Sequence, residues 1–230
     1  MPPAKPIMGK ESGELPPDGE MTPDLVRAAL GLPAKSGLVV EGLTLPNRPP
    51  QLCAGCPHGD TFDAIRIALE QHREGVVTSD IGCYTLGALP PYGVIESCVC
   101  MGASVGMAKG AADAGLKPAI ALIGDSTFLH SGVTPLMDAV AADTDMTLII
   151  LDNETTAMTG GQPTILPRTR IEPLVLGLGI DPAHCHVIAA HHRDTEINRE
   201  TIRREVEHPG LSVIIAVREC IETLKTKKSS

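Results

Sequence analysis

The chain has 230 residues, a formal net charge of −9, 43% hydrophobic residues and 20% charged ones. That is the composition of a globular protein long enough for one large domain, and no apolar run reaches the roughly 18–20 residues of a membrane span. Basic residues are scattered and the aromatics are only Phe62, Tyr84, Tyr92 and Phe128, which argues against a nucleic-acid partner, since that needs a basic stripe or stacking platforms.

Residues 1–48 are rich in Pro, Gly and charge, apart from the helical stretch "TPDLVRAALG". They read as a docking arm or linker. The first residues lack the apolar core of a secretory signal, so a cytoplasmic protein is expected. An α/β domain is expected over residues 49–222, with a polar tail at 223–230.

Within that domain "TFDAIRIALEQHR" predicts a helix with Phe62, Ile65 and Leu69 on one face and Asp60 as N-cap. "GVVTSD" and "VIESCVC" read as short strands, and Cys98 and Cys100, two apart on the second, would face the same way. "MGASVGMAKGAADAG" predicts a helix with small residues along one side, ending at Gly115. "KPAIALIGD" and "MTLIILDN" are buried strands flanking the helix "SGVTPLMDAVAAD", for which Ser131 is the natural cap. "HVIAA", the polar helix "TEINRETIRREVE" and the strand "LSVIIAV" complete the pattern. Near-continuous apolar strands alternating with helices predict a doubly wound α/β fold with a mostly parallel sheet.

In such a fold ligands bind beyond the carboxyl ends of the strands. The loops there are "DIGCYTLGALPP", Gly124-Asp125-Ser126, Asp152-Asn153 and Arg218-Glu219-Cys220. Asp125 and Asn153 offer a carboxylate and an amide oxygen, a donor set that suits Mg²⁺ with phosphate oxygens. The turn at Ser126 offers backbone N–H groups to a pyrophosphate. Taken singly, Asp125 and Asn153 read equally as turn or cap residues.

There are seven cysteines, at 53, 56, 83, 98, 100, 185 and 220. An odd number in such a chain argues against a disulfide framework. Cys53 and Cys56 form a CxxC, which on its own fits zinc, a redox dithiol or an iron–sulfur cluster. Zinc would want a second close pair or a HxxxH partner, and a dithiol usually sits in a thioredoxin-like unit. A [4Fe–4S] cluster wants four thiolates. Cys83 and Cys220 lie in other loops of the same sheet edge and could converge with the Cys53–Cys56 pair, with Cys98 and Cys100 as rivals to Cys220. Cys185 reads as packing.

Five strings, "CAGCPHGDTF", "DIGCYTLGALPP", "CMGASVGMAKG", "GDSTFLHSGV" and "LDNETTAMTGGQP", occur in that order. Together they resemble the thiamine-binding half of the indolepyruvate ferredoxin oxidoreductase family, a branch of the 2-oxoacid:ferredoxin oxidoreductases. The match runs from about Leu52 to Cys220, with Ser126 where most of the wider superfamily has Gly. The resemblance implies a thiamine-diphosphate-binding (PP-type) domain. Mg²⁺ would be held by Asp125, Asn153 and the carbonyl of Thr155. Gly82, Cys83, Gly102, Ser104, Gly124 and Ser126 would line the thiamine diphosphate.

It also implies a [4Fe–4S] cluster on Cys53, Cys56, Cys83 and Cys220, and oxidative decarboxylation of an arylpyruvate-type 2-oxoacid to an acyl-CoA with coenzyme A. Thiamine provides the electron sink, and the cluster takes the electrons. His58 would stand near the reacting centre, or simply fix its own loop. His130 and Ser131 would line the site or cap the following helix, the cap being favoured. The implied partners are a subunit carrying a pyrimidine-binding domain with the activating glutamate, and a ferredoxin or ferredoxin-like subunit. The residues alone also leave open a non-oxidative thiamine lyase or carboligase, and a non-catalytic zinc-binding module.

Overall fold

The computed structural model describes residues 7–33, 35, 37, 42, 49–72 and 74–229, with backbone only at Lys228 and Ser229. The chain divides into two units, Met1–Arg48 and Pro49–Ser230. In the first, helix α1 (Pro23–Ala29) starts at Thr22, whose hydroxyl accepts a hydrogen bond from the Leu25 amide, and it buries none of its residues.

The second unit alternates helix and strand. Its elements are α2 (Pro57–Ala68), β1 (Val76–Ser79), β2 (Ser97–Cys98), α3 (Ala103–Asp113), β3 (Ala119–Gly124) and α4 (Asp125–Thr127). Then come α5 (Val133–Ala141), β4 (Met146–Asp152), the hairpin β5 (Thr155–Thr156) and β6 (Gln162–Pro163), and α6 (Ile171–Gly177). β7 (Cys185–Ala189), α7 (Thr195–Glu207), β8 (Leu211–Val217) and α8 (Ile221–Ser229) close it. Six strands pair in the order β2-β1-β3-β4-β8-β7, every pair parallel.

The doubly wound architecture follows from strands that are apolar on both faces. Along β3, Ile120 and Leu122 join one core while Ala121 and Ile123 join the other; Ile149 and Leu151 alternate with Leu148 and Ile150 along β4 in the same way. The first core is roofed by α2 and α7 through Phe62, Ile65 and Ile202. The second is roofed by α3, α5 and α6 through Val105, Leu136 and Val175. The period of two in the pleat sends neighbouring side chains to opposite layers.

Several elements differ from the expectation. α2 begins at Pro57 with Cys56 as its N-cap, because proline's fixed φ suits the first helical position; Asp60 lies inside the helix. The second strand shrinks to Ser97–Cys98 and Cys100 is exposed beyond it, so Cys98 and Cys100 share no strand face. Ser131 caps nothing. It sits in a π-helical turn, Phe128–Gly132, that joins α4 to α5. Its hydroxyl instead donates to the Met101 carbonyl at 3.2 Å and lies 2.5 Å from His130 Nδ1. The stretch expected as a polar tail is helical as far as Ser229. Gly106 and Gly110 are exposed, and a Cβ at either would meet nothing within 4 Å.

A buried carboxylate fastens α7 to the edge strand. Glu205 accepts hydrogen bonds from His184 Nδ1 (2.8 Å), His186 Nε2 (2.7 Å) and Arg204 Nε (3.0 Å). Burial pushes its pKa up, but the bonds from His184, Arg204 and His186 outweigh burial and hold it below the ordinary 4.5. A depressed carboxylate stabilises the fold above its unfolded pKa, and that contribution is lost as pH falls through the folded value. Glu205→Ala should therefore cost about 2 kcal/mol at neutral pH, the scale of hydrogen bonds to a charged group. In urea titrations the deficit should shrink as the pH is taken below 4.5.

Candidate functional site

The chain runs from β1 outward to β2, then back across to β3 on the other side of β1. That reversal opens a crevice at the carboxyl ends of β1 and β3, the usual ligand site of an open α/β sheet. A cavity of about 190 Å³ lies there, lined among others by His58, Gly82, Cys83, Gly124, Asp125 and Asn153.

Its floor is organised by Asp80, fully buried at the end of β1. The carboxylate accepts hydrogen bonds from the Tyr84 hydroxyl, the Gly102 amide (3.0 Å) and the Ser104 hydroxyl (2.7 Å). Burial raises its pKa, while those donors pull it back down. Burial and the neighbouring Asp80 also raise the pKa of Tyr84. Gly102 and Ser104, expected against the cofactor, do not line the cavity. Their donors face Asp80 instead, and Gly102, at φ +83°, packs so tightly that a Cβ would stand 2.6 Å from Ser131 Cβ. The Tyr84 ring explains two further glycines. A Cβ on Gly124 would stand 2.5 Å from its Cε1, and one on Gly82 closer still. Asp80 and Tyr84 escaped sequence reasoning. The pairing signal was there, since a buried Asp at a strand end needs donors.

Asp125 follows β3 directly. Its Oδ1 accepts from the Ser126 amide at 2.7 Å, while Oδ2 is buried with no partner. Burial, and then the carboxylate of Asp152 beside it, push its pKa up to about 7. Arg168 Nε lies 3.4 Å from Asp152 Oδ2, and a divalent ion held by Asp125 would relieve both the desolvation and the like charge. Asn153 is buried across the same cavity, with Oδ1 accepting from the Thr155 amide at 3.1 Å. Its Nδ2 lies 3.3 Å from His58 Nε2. Burial pushes the His58 pKa down to about 4, so the imidazole is neutral at pH 7 and Nε2 accepts from the Asn153 amide. Ser126, in the place of the superfamily's Gly, has its hydroxyl 2.7 Å from Thr156 Oγ1. That bond ties the end of β3 to the loop after β4.

A second cavity, about 140 Å³, adjoins the first and shares His58, Cys83, Asn153 and Ala157 with it. Cys53, Cys56, Cys83 and Cys220 all line it; Cys98 and Cys100 do not. The four come from three elements. Cys53 and Cys56 bracket a tight turn closed by a 3.0 Å bond from the Cys56 amide to the Cys53 carbonyl, with Gly55 in the left-handed region at φ +78°. Cys83 starts the turn after β1, and the Cys220 amide donates to the Asn153 carbonyl at 3.1 Å. All four are free thiols. Burial, with Cys53 and Cys83 close by, pushes the Cys56 pKa up to about 11, and burial with Cys220 and Cys53 nearby raises that of Cys83. Among the described residues, no three His, Cys, Asp or Glu converge tightly enough for a single metal ion. Cys185 packs half-buried against the second core.

The sequence pattern of the thiamine pyrophosphate enzyme, C-terminal TPP binding domain, matches residues 80–216. The indolepyruvate oxidoreductase subunit IorA of Archaeoglobus fulgidus is 38% identical over 237 residues, covering 93% of this chain. The chain belongs to the thiamine pyrophosphate enzymes, as a C-terminal TPP-binding domain. The corresponding subunit of Methanothermobacter marburgensis is also 38% identical, over 94% of this chain. The TPP-binding chain spans 37% of the length of each of these two relatives. In fold it is similar to a 2-oxoglutarate:ferredoxin oxidoreductase from Magnetococcus marinus, at TM-score 0.64 and 17% identity, covering 80% of this chain and 70% of that one. It is also similar to a thiamine diphosphate-dependent 4-hydroxybenzoylformate decarboxylase from Rhodococcus jostii, at TM-score 0.54 and 16% identity, over 86% of this chain and 39% of that one. Among the described residues no helix is long and apolar enough to cross a membrane.

The glycine–tyrosine packing gives a direct test of the cavity floor. Gly82→Ala should cost about 1–3 kcal/mol, the usual penalty of overpacking a tight site. In thermal melts of the double variant with Tyr84→Ala, the Gly82→Ala penalty should largely vanish, since the ring that the new methyl meets is gone.

Proposed function

We propose that this chain is the cofactor-binding part of a thiamine-dependent 2-oxoacid:ferredoxin oxidoreductase. The reaction is oxidative decarboxylation of an arylpyruvate-type, indolepyruvate-like 2-oxoacid to an acyl-CoA, with electrons leaving through a [4Fe–4S] cluster. One observation carries this reading: a cavity with an unpartnered buried carboxylate shares a wall with a cavity ringed by four thiols.

The residues fit Mg²⁺. Asp125 Oδ2 supplies the unpartnered carboxylate oxygen, and the Asn153 side chain and the Thr155 carbonyl supply neutral oxygens, a donor set for a hard cation that keeps phosphate and water as its other ligands. Gly124 and Ser126 would flank the diphosphate, and Gly82 and Cys83 would border the thiamine. Thiamine diphosphate, when bound, supplies the electron sink for loss of CO₂.

The chain's own residues do the rest. His58 stays neutral because it is buried. Its Nε2 faces Asn153, which leaves the ring proton on Nδ1 and fixes the imidazole on the wall between the two cavities, where its Nδ1–H would donate a hydrogen bond to the bound acid. Cys83 borders both cavities, so as a cluster ligand it would link the thiamine side to the thiol side. Cys53, Cys56 and Cys220 complete the cluster's ligands. Zinc fits less well: it would want a second close cysteine pair or a HxxxH partner beside the CxxC. A cubane spreads its thiolates over four separate irons.

Ile81, Met101 and Met158 line the cofactor cavity yet are exposed. A partner subunit bearing the pyrimidine-binding domain and the activating glutamate would cover them, and a ferredoxin or ferredoxin-like subunit would take the electrons onward. The chain expressed alone should bind cofactor but not turn over.

Two measurements test the reading. Anaerobically purified protein should be brown and hold about four irons per chain; colourless, iron-free protein would sink the cluster assignment. Asp125→Asn should abolish Mg²⁺-dependent binding of thiamine diphosphate in calorimetry. The same change should make the cofactor-free chain more stable by about 1–3 kcal/mol, because it removes an unpaired buried charge. Unchanged Mg²⁺-dependent affinity would overturn the cofactor site.

A further inference from the structure

We infer that Arg218 is the positioning residue of the cysteine cage, locking the Cys53–Cys56 turn against the strand end that carries Cys220. The inference rests on the cluster reading above.

Arg218 follows β8 directly, two residues before Cys220. Its amide donates to the Asp152 carbonyl at 3.0 Å, which fixes the backbone next to the cofactor loop. Its guanidinium then reaches three other elements. One Nη donates to the Asp60 carboxylate in α2 and to the Ala190 carbonyl beyond β7 at 3.1 Å. The other donates to the Gly55 carbonyl at 3.2 Å, inside the CxxC turn itself. A single side chain thus gathers β8, the end of β7, α2 and the turn between two of the four thiols.

The turn needs such a tie. Cys53 is exposed and stands outside α2, and Gly55 has the left-handed backbone of a residue with little intrinsic preference for one conformation. A cubane accepts its thiolates only at fixed spacing. The Cys53–Cys56 pair comes from one loop and Cys220 from an element 163 residues away from Gly55 along the chain. Only a contact between the two elements sets their separation, and the planar guanidinium, with donors in two directions, suits it where an ammonium would not.

Charge adds a second consequence. Arg218 pairs with Asp60, so the pair itself adds no net charge beside the thiols. Removing the cation takes one positive charge from beside a cluster that already carries four thiolates, and leaves Asp60 with His192 Nδ1 at 3.9 Å. Negative charge near a cluster disfavours the added electron and lowers its reduction potential.

The test uses the full 230-residue chain, reconstituted anaerobically with ferrous iron and sulfide, as wild type, Arg218→Met and Arg218→Lys. Arg218→Met should keep the wild-type far-ultraviolet circular dichroism but release iron to a chelator about tenfold faster, the scale of one lost charge-assisted hydrogen bond. Its cluster midpoint, followed by electron paramagnetic resonance, should move to a more negative potential. Arg218→Lys should recover the wild-type midpoint, because the charge is back, while its iron release stays faster than wild type. Wild-type release rates in either variant, or a wild-type midpoint in Arg218→Met, overturn the inference. A wild-type chain that takes up no cubane overturns the cluster reading instead, before any variant is compared.

Discussion

A parallel sheet buried on both faces leaves polar chemistry one place to go, the strand ends. β3 and β4 are apolar from their first residue almost to their last. Their polar neighbours, Asp125, Asp152 and Asn153, therefore crowd at the carboxyl edge, and the reversal between β2, β1 and β3 opens the crevice at that same edge. Everything the site does depends on this geometry. The apolar strands set where the loops emerge, and Asp80 sets how they are arranged. By engaging Tyr84, Gly102 and Ser104 at once, it binds the loop after β1 to the start of α3. The tyrosine ring then fills the space between Gly82 and Gly124. Two glycines of the motifs are thus conditions for a packed aromatic floor, beyond any approach they allow to a ligand.

The same edge holds the least comfortable group in the domain. Asp125 is buried beside Asp152, and its Oδ2 makes no hydrogen bond. A domain selected for stability alone would replace it, since an unpaired buried charge is costly and a neutral residue of the same shape is not. Its retention makes sense if a cation completes the site. Glu205 shows the opposite design in the same fold. It is equally buried, but three donors surround it. One carboxylate is surrounded by donors of the chain, and the other has one oxygen bonded to the Ser126 amide and the other oxygen without a hydrogen bond.

The sequence carried the layer architecture well because a two-sided core writes itself as continuous apolar runs. It also carried the site loops, since these begin where those runs stop. It read poorly where tertiary contact overrides local pattern. Ser131 looked like a helix cap, but the π-helical turn carries the helix through it and its hydroxyl bonds to Met101. "VIESCVC" had the composition of a strand, yet only Ser97 and Cys98 find a partner on β1. The resemblance put Gly102 and Ser104 against the cofactor; that their donors face Asp80 was not legible, because nothing local marks a contact across 22 and 24 residues.

The cysteines show the limit most clearly. Spacing alone left CxxC ambiguous, and Cys98 and Cys100 rivalled Cys220 for the fourth place. The fold separates them for a reason of topology. β2 is the outer strand on one side of β1, so Cys98 and Cys100 end up away from the cavity, while β8 lies beside β4 and delivers Cys220 next to Asn153. The backbone bond from Cys220 to Asn153 makes the last thiol and the amide of the cofactor loop parts of one wall, with His58 and Cys83 filling it out. Arg218 fixes the outer corner of that wall, holding the Gly55 turn and Asp60 of α2 against the end of β8.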